Sequence, residues 1–178
     1  MSDVLSSQWP EDDRPLTPQA EDRPQAVASQ AVMTGPVSKA FILAGRAMFT
    51  VANPTGERYT IRVSKVDNDP SSRWYRADQP STWFVGLLTG PNNDTDYTYV
   101  GMLSPTTGQV ILTRKSPYSA DSKVYKVVQW AIKLVLTGKS IPNGYSLLHS
   151  GKCGRCGRTL TVPSSIETGL GPECASKV

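Results

Sequence analysis

The chain has 178 residues, a formal net charge of +4, three cysteines and a single histidine, enough for one ordinary domain or a domain with a small appended module. No run of about 18 apolar residues occurs, which excludes a membrane-spanning helix. The opening stretch MSDVLSSQWPEDDRP lacks the basic and apolar regions of a secretory signal, so the expected compartment is the cytoplasm, where Cys-x-x-Cys binds metal more readily than it forms a disulfide.

The charge is unevenly distributed. Residues 1–38 hold six acids and two arginines, whereas the remaining chain is strongly basic, a division that points to a polyanionic partner for the body. Residues 1–38 also hold five prolines and show no hydrophobic periodicity, so this segment is expected to stay disordered, as an acidic Pro-rich tail. Trp9 is its one large aromatic, free to dock on a partner or back on the body.

Order is expected from Lys39. SKAFILAGRAMFTVAN opens with a short apolar run and continues into a strand, MFTVAN. PTGE turns the chain, with Gly56 available for a positive φ. RYTIRVSKV alternates Tyr59, Ile61 and Val63 with polar residues, the pattern of a half-buried strand that closes a hairpin. After a polar loop come three further strands, WFVGLLTG, YTYVGMLS and QVILTRKS. They are joined by turns short enough for antiparallel pairing. Asp94 and Asp96 read as turn caps.

SADSKVYKVVQWAIKLVLTGKS is the one long helix. Val124, Val127, Val128, Ala131, Leu134 and Val135 share a face, Ser119 or Asp121 caps the start, and Gly138 ends it. An amphipathic helix on an antiparallel sheet of hairpin plus meander gives a two-layer α+β domain over residues 39–146.

Residues 147–178 hold every cysteine and the histidine, spaced His149-x3-Cys153-x2-Cys156-x17-Cys174. A glycine follows each cysteine of CGRCGR, so the loop can turn its amides toward the thiolates. Three cysteines and a histidine form a common ligand set for structural Zn²⁺. Glu173, Glu167 or a water competes with His149 for the fourth position. Ser164-x-x-Glu167 after Pro163 reads as a capping box, Gly169 as the end of a short helix, and Pro172 as the start of a turn that delivers Cys174. A redox Cys-x-x-Cys lacks the βαβ context it needs. A zinc enzyme would need an open ligand position, and the His-x-Glu of the zinc deaminases is missing.

The segment CGRCGRTLTVPSSIETGLGPECA resembles a small C-terminal Cys-rich domain family of unknown function, frequent in proteins encoded by bacteriophages and prophages. The matching positions are Cys153, Gly154, Cys156, Gly157, Arg158, Leu160, Ser164 or Ser165, Gly169, Gly171, Pro172 and Cys174. The resemblance implies a zinc site, a phage provenance and hence the host cytoplasm, and it implies no activity.

Two patches are candidates for contact with nucleic acid. Lys152, Arg155 and Arg158 surround the cysteines and can hold phosphates, although Arg158 can equally serve the module's own packing. Arg73, Trp74, Tyr75 and Arg76 interleave cations with aromatics, as single-strand sites do, although the aromatics can equally cover an end of the sheet. Arg58 and Arg62, on the polar face of the second strand, can extend a basic surface. The expectation is a non-enzymatic protein with a zinc-ribbon or treble-clef-like module that binds nucleic acid, single-stranded or duplex, with little sequence specificity. The alternative is an adaptor or inhibitor acting on a host protein, with the zinc purely structural.

Overall fold

The computed structural model describes residues 35–66 and 81–178. The acidic tail up to residue 34 and the Arg73-Trp74-Tyr75-Arg76 cluster lie outside the described residues. In chain order the elements are β1 (Gly35–Pro36), α1 (Lys39–Leu43), β2 (Arg46–Ala52), β3 (Arg58–Val66), β4 (Thr82–Leu88), β5 (Tyr97–Leu103), β6 (Val110–Ile111), α2 (Lys123–Leu136), β7 (Ser146–His149), α3 (Pro163–Thr168) and α4 (Pro172–Ala175). No helix among the described residues is long and apolar enough to cross a membrane.

The strands form one antiparallel sheet in the order β1-β7-β2-β3-β4-β5-β6. Alternation explains its two faces. Ala47, Phe49 and Val51 of β2 are buried together with Tyr59, Ile61 and Val63 of β3, because successive side chains on a strand point to opposite faces. The residues between them, Arg46, Met48, Arg62 and Ser64, face the other way. The buried set forms one core cluster with Val124, Val127, Val128, Ala131, Ile132 and Leu134 of α2.

Helix α2 also closes the β6 edge. The Val110 N–H donates to Gln129 Oε1 (2.7 Å), and the Val110 carbonyl accepts from the Tyr125 hydroxyl (2.8 Å). Side chains of the helix thus occupy backbone groups that would otherwise leave the edge open to pairing. Strand β6 is accordingly two residues long, not the eight expected from QVILTRKS: past Ile111 the chain turns, with the Ser116 N–H on the Thr113 carbonyl. The helix cap is Ser122, not Ser119 or Asp121. Ser122 Oγ accepts the Tyr125 N–H and donates to the Ser119 carbonyl, so Ser119 anchors the cap from one turn earlier.

The largest departure from expectation is β7. It enters the sheet between β1 and β2, so a domain boundary at 146/147 falls inside a strand. From β6 to β7 the chain must cross five strand spacings, roughly 24 Å. A helix of 14 residues covers about 21 Å of that distance. That helix, with the segments on either side of it, makes up the connection that returns the chain to the far side of the hairpin. Likewise Gly35 and Pro36, expected in the disordered tail, pair with His149 and Leu148. Proline is tolerated there because β1 is an edge strand.

This register predicts unequal effects at neighbouring leucines. Leu147 is fully buried and Leu148 half-buried. Leu147→Ala should cost about 2–5 kcal/mol in urea unfolding, and Leu148→Ala clearly less. Equal losses would contradict the register of β7.

Candidate metal centre

The three thiols are gathered from two places. Cys153 and Cys156 flank a tight loop: the Cys153 N–H donates to the Arg158 carbonyl (2.8 Å), the Gly157 N–H donates back to the Cys153 carbonyl (2.9 Å), and Lys152 bridges to Thr159. Gly157 has φ 78°, a conformation that glycine adopts at little cost. Cys174 arrives on α4, whose first residue is Pro172. Between them α3 ends at Gly169 (φ 74°), as expected. Its start differs from expectation: Val162 is the N-cap without a side-chain bond, Pro163 is the first helical residue, and Ser164 lies inside the helix rather than capping it.

The Sγ atoms of Cys153, Cys156 and Cys174 lie within 4.8 Å of one another and can hold a metal ion. They are free thiols, buried, exposed and half-buried respectively. A tetrahedral thiolate site sets its sulfurs about 3.8 Å apart, inside the span these three occupy. Burial pushes the Cys153 thiol up, but N–H groups of Cys156, Gly171 and Arg155 and the Cys156 thiol outweigh it and bring its pKa to about 7. Burial, hydrogen bonds to the sulfurs of Cys156 and Cys153, and their negative charge push Cys174 up to about 11. The amides of the loop thus favour the anionic form of Cys153, which is the form a metal binds.

His149 does not join this cluster, contrary to its expected role as fourth ligand. It is fully buried on β7, and both ring nitrogens are engaged: the Gly151 N–H donates to Nδ1 (3.0 Å), and Nε2 is 2.8 Å from the Ile166 carbonyl. This assigns the neutral tautomer with the proton on Nε2. Gly35 lies directly beneath, where a Cβ would collide with the Ile166 carbonyl and the imidazole.

Phe41 of α1 stacks on the His149 ring, with centroids 4.8 Å apart. It also fills a glycine cradle: a Cβ at Gly154 or Gly169 would stand 2.6 Å or 2.5 Å from Phe41 Cδ2. Backbone bonds reinforce this seat, from the Arg46 N–H to the Gly154 carbonyl (2.6 Å) and from the Gly154 N–H to the Gly169 carbonyl (2.9 Å). The cysteine loop is thus fixed to β2 and α1.

The basic residues around the cysteines divide. Arg155 donates to the Lys177 carbonyl (2.5 Å), so part of its donor capacity is spent within the chain. Arg158 and Lys152 are exposed. Arg46, which sequence reasoning passed over, is exposed at the start of β2, where it pairs with Ser64 of β3. The signal was available, since the alternation that buries Ala47, Phe49 and Val51 sends Arg46 to the same face as Arg62.

Residues 148–178 match the model of a family of unknown function (DUF6011). That match and the cysteine cluster fit a small C-terminal Cys-rich unit. No curated protein and no solved structure matches the chain.

Burial lowers the His149 pKa, although the bond to Ile166 opposes this. A histidine that binds its proton less readily when folded contributes stability that is present above its unfolded pKa, near 6.5, and lost as the pH falls toward the folded value. His149→Gln should therefore cost about 1–3 kcal/mol at pH 7.5 and should remove part of the wild-type loss of stability below about pH 6.5. Parallel pH profiles for the two proteins would contradict the assignment.

Proposed function

We propose that this chain is a non-enzymatic binding protein whose C-terminal unit holds one structural Zn²⁺ on Cys153, Cys156 and Cys174 and which contacts nucleic acid. The observation that supports the metal is the convergence of three free thiols within 4.8 Å. They are soft ligands, on a loop that directs backbone N–H groups at one sulfur, as thiolate sites for zinc do. The order of loop, short hairpin bridge and helical turn bearing the last cysteine is similar to a treble clef. His149, already neutral and doubly bonded, leaves the fourth position to a water or to Glu173 or Glu167.

The nucleic-acid reading is supported by charge placement. Arg46 of β2, Arg58 and Arg62 of β3 and Lys152 of the cysteine loop lie away from the α2-covered core, while six of the fifteen acids fall within residues 1–38. Such a surface binds phosphates with steep salt dependence and little sequence preference. A phage or prophage origin and a cytoplasmic setting belong to the same proposal.

Two measurements test it. Elemental analysis of the purified chain should give about one zinc per molecule, falling to a small fraction in Cys153→Ser. Full retention in that variant would refute the site. Labelled single- and double-stranded oligonucleotides, titrated across a salt series, should bind at low salt with log affinity falling linearly in log salt. Absence of binding at low salt would overturn the nucleic-acid reading.

A further inference from the structure

The sheet face opposite α2 meets the cysteine loop in an open cleft of about 330 Å³, lined by Arg46 of β2, Arg62 and Ser64 of β3, Asp94 of the β4–β5 turn, and Lys152 and Gly157 of the loop. We propose that this cleft binds a phosphate of a single-stranded nucleic acid, whose bases continue onto an aromatic strip of the same sheet face. The proposal rests on the nucleic-acid reading above and gives it a site.

Charge is the first argument. Three cations from three separate parts of the chain converge on one cleft that holds one carboxylate, Asp94. A concave surface lined by one predominant sign concentrates counter-charge. Arg46 and Lys152 are exposed, and among the described residues neither side chain makes a hydrogen bond or ion pair. Their charge is available to a ligand.

Arg62 is held differently. Its guanidinium lies 4.0 Å from the Tyr97 ring centroid, and Nη1 donates to the Asp94 carbonyl (2.9 Å). Tyr97 is fixed in turn by its hydroxyl on Met48 Sδ (2.7 Å). Burial, opposed by Arg62, pushes its phenol up to about 12, so the ring under the cation stays neutral. One donor of five is used, and the others are presented by a side chain whose rotamers are already restricted, which lowers the entropy cost of binding.

Continuity across the sheet is the second argument. Ser64 pairs with Phe84, and Arg62 pairs with Gly86. The Phe84 and Tyr99 rings lie 6.2 Å apart on the same face, and both are half-buried. Gly86 places no side chain between Arg62 and these rings. A sheet face that offers cations beside partly exposed aromatics suits unpaired bases, which stack while the backbone is neutralised. Paired bases cannot reach the rings, so the surface selects single strands.

The test uses the full-length, zinc-loaded protein and a labelled oligothymidine, with affinity read by fluorescence anisotropy across a salt series. The Arg46→Ala/Lys152→Ala double variant should weaken binding about tenfold or more and flatten the log–log salt slope by about 2. Tyr99→Leu should weaken it by about tenfold. The Lys133→Ala/Lys139→Ala double variant, at exposed positions in and just after α2, serves as the charge-matched control and should have little effect. Unchanged melting temperature and zinc content certify that each variant folds. If the wild type binds and the Arg46→Ala/Lys152→Ala variant behaves as the control, the cleft assignment fails while the nucleic-acid reading stands. If the wild type does not bind, both fail. Tighter binding of a duplex of equal length, or displacement of the strand by equimolar inorganic phosphate, would overturn the assignment to a single strand.

Discussion

The seat of Phe41 organises this molecule. Its ring is stacked on His149 from the sheet and enclosed by Gly154 and Gly169 from the C-terminal unit. Phe41 is almost fully buried, and a buried aromatic of this kind takes a large apolar area out of water. Without it the cysteine loop would be tethered to β2 mainly through the Arg46–Gly154 backbone bond. The small second core, comprising Ala44, Cys153, Leu160 and Leu170, is too limited to hold some thirty residues by itself, as small units without a metal or other staple generally are. Packing holds this loop through Phe41, and the same loop carries two of the three thiols that can hold a metal ion.

His149 shows how a scarce residue can mislead. The sole histidine, near two cysteines, invites assignment as a ligand, and its spacing permits it. The strand around it argues otherwise: Tyr145, Leu147 and His149 alternate inward, and all are buried. A buried imidazole needs partners for both nitrogens, and the turn at Gly151 and the end of α3 supply them. The residue joins three segments, β7, the loop and α3, and its neutrality is part of that structural role. The residues that can hold a metal ion are then the three thiols.

Local pattern carried much of the fold. The alternation of β3, the apolar stripe of α2, the glycine that ends α3 and the proline that starts α4 were all legible, because each depends on contacts between near neighbours in sequence. The insertion of β7 and the pairing of Gly35–Pro36 were not. Two- and four-residue strands carry too few side chains to show a period, and their partners lie up to 114 positions away, as Gly35 with His149. Phe41 was read as part of an apolar run, but its role depends on glycines more than a hundred residues later. The cysteine set was legible from composition alone. Its fourth ligand was not, because spacing shows what can reach a metal and not what else competes for the side chain.

The two faces of the sheet divide the labour. One is closed by the core shared with α2, and the other keeps its arginines, its aromatic strip and a wall of the cysteine loop. The cysteine unit and the sheet are joined through Phe41, His149 and the Arg46–Gly154 bond, which predicts one cooperative structure. Amide hydrogen exchange before and after chelation tests this most directly. Loss of metal should accelerate exchange at Arg46 and through Leu147–His149 of β7, as well as in the loop. If the change is confined to residues 151–176 and β7 keeps its protection, the cysteine unit is an independent appendage and the account is wrong.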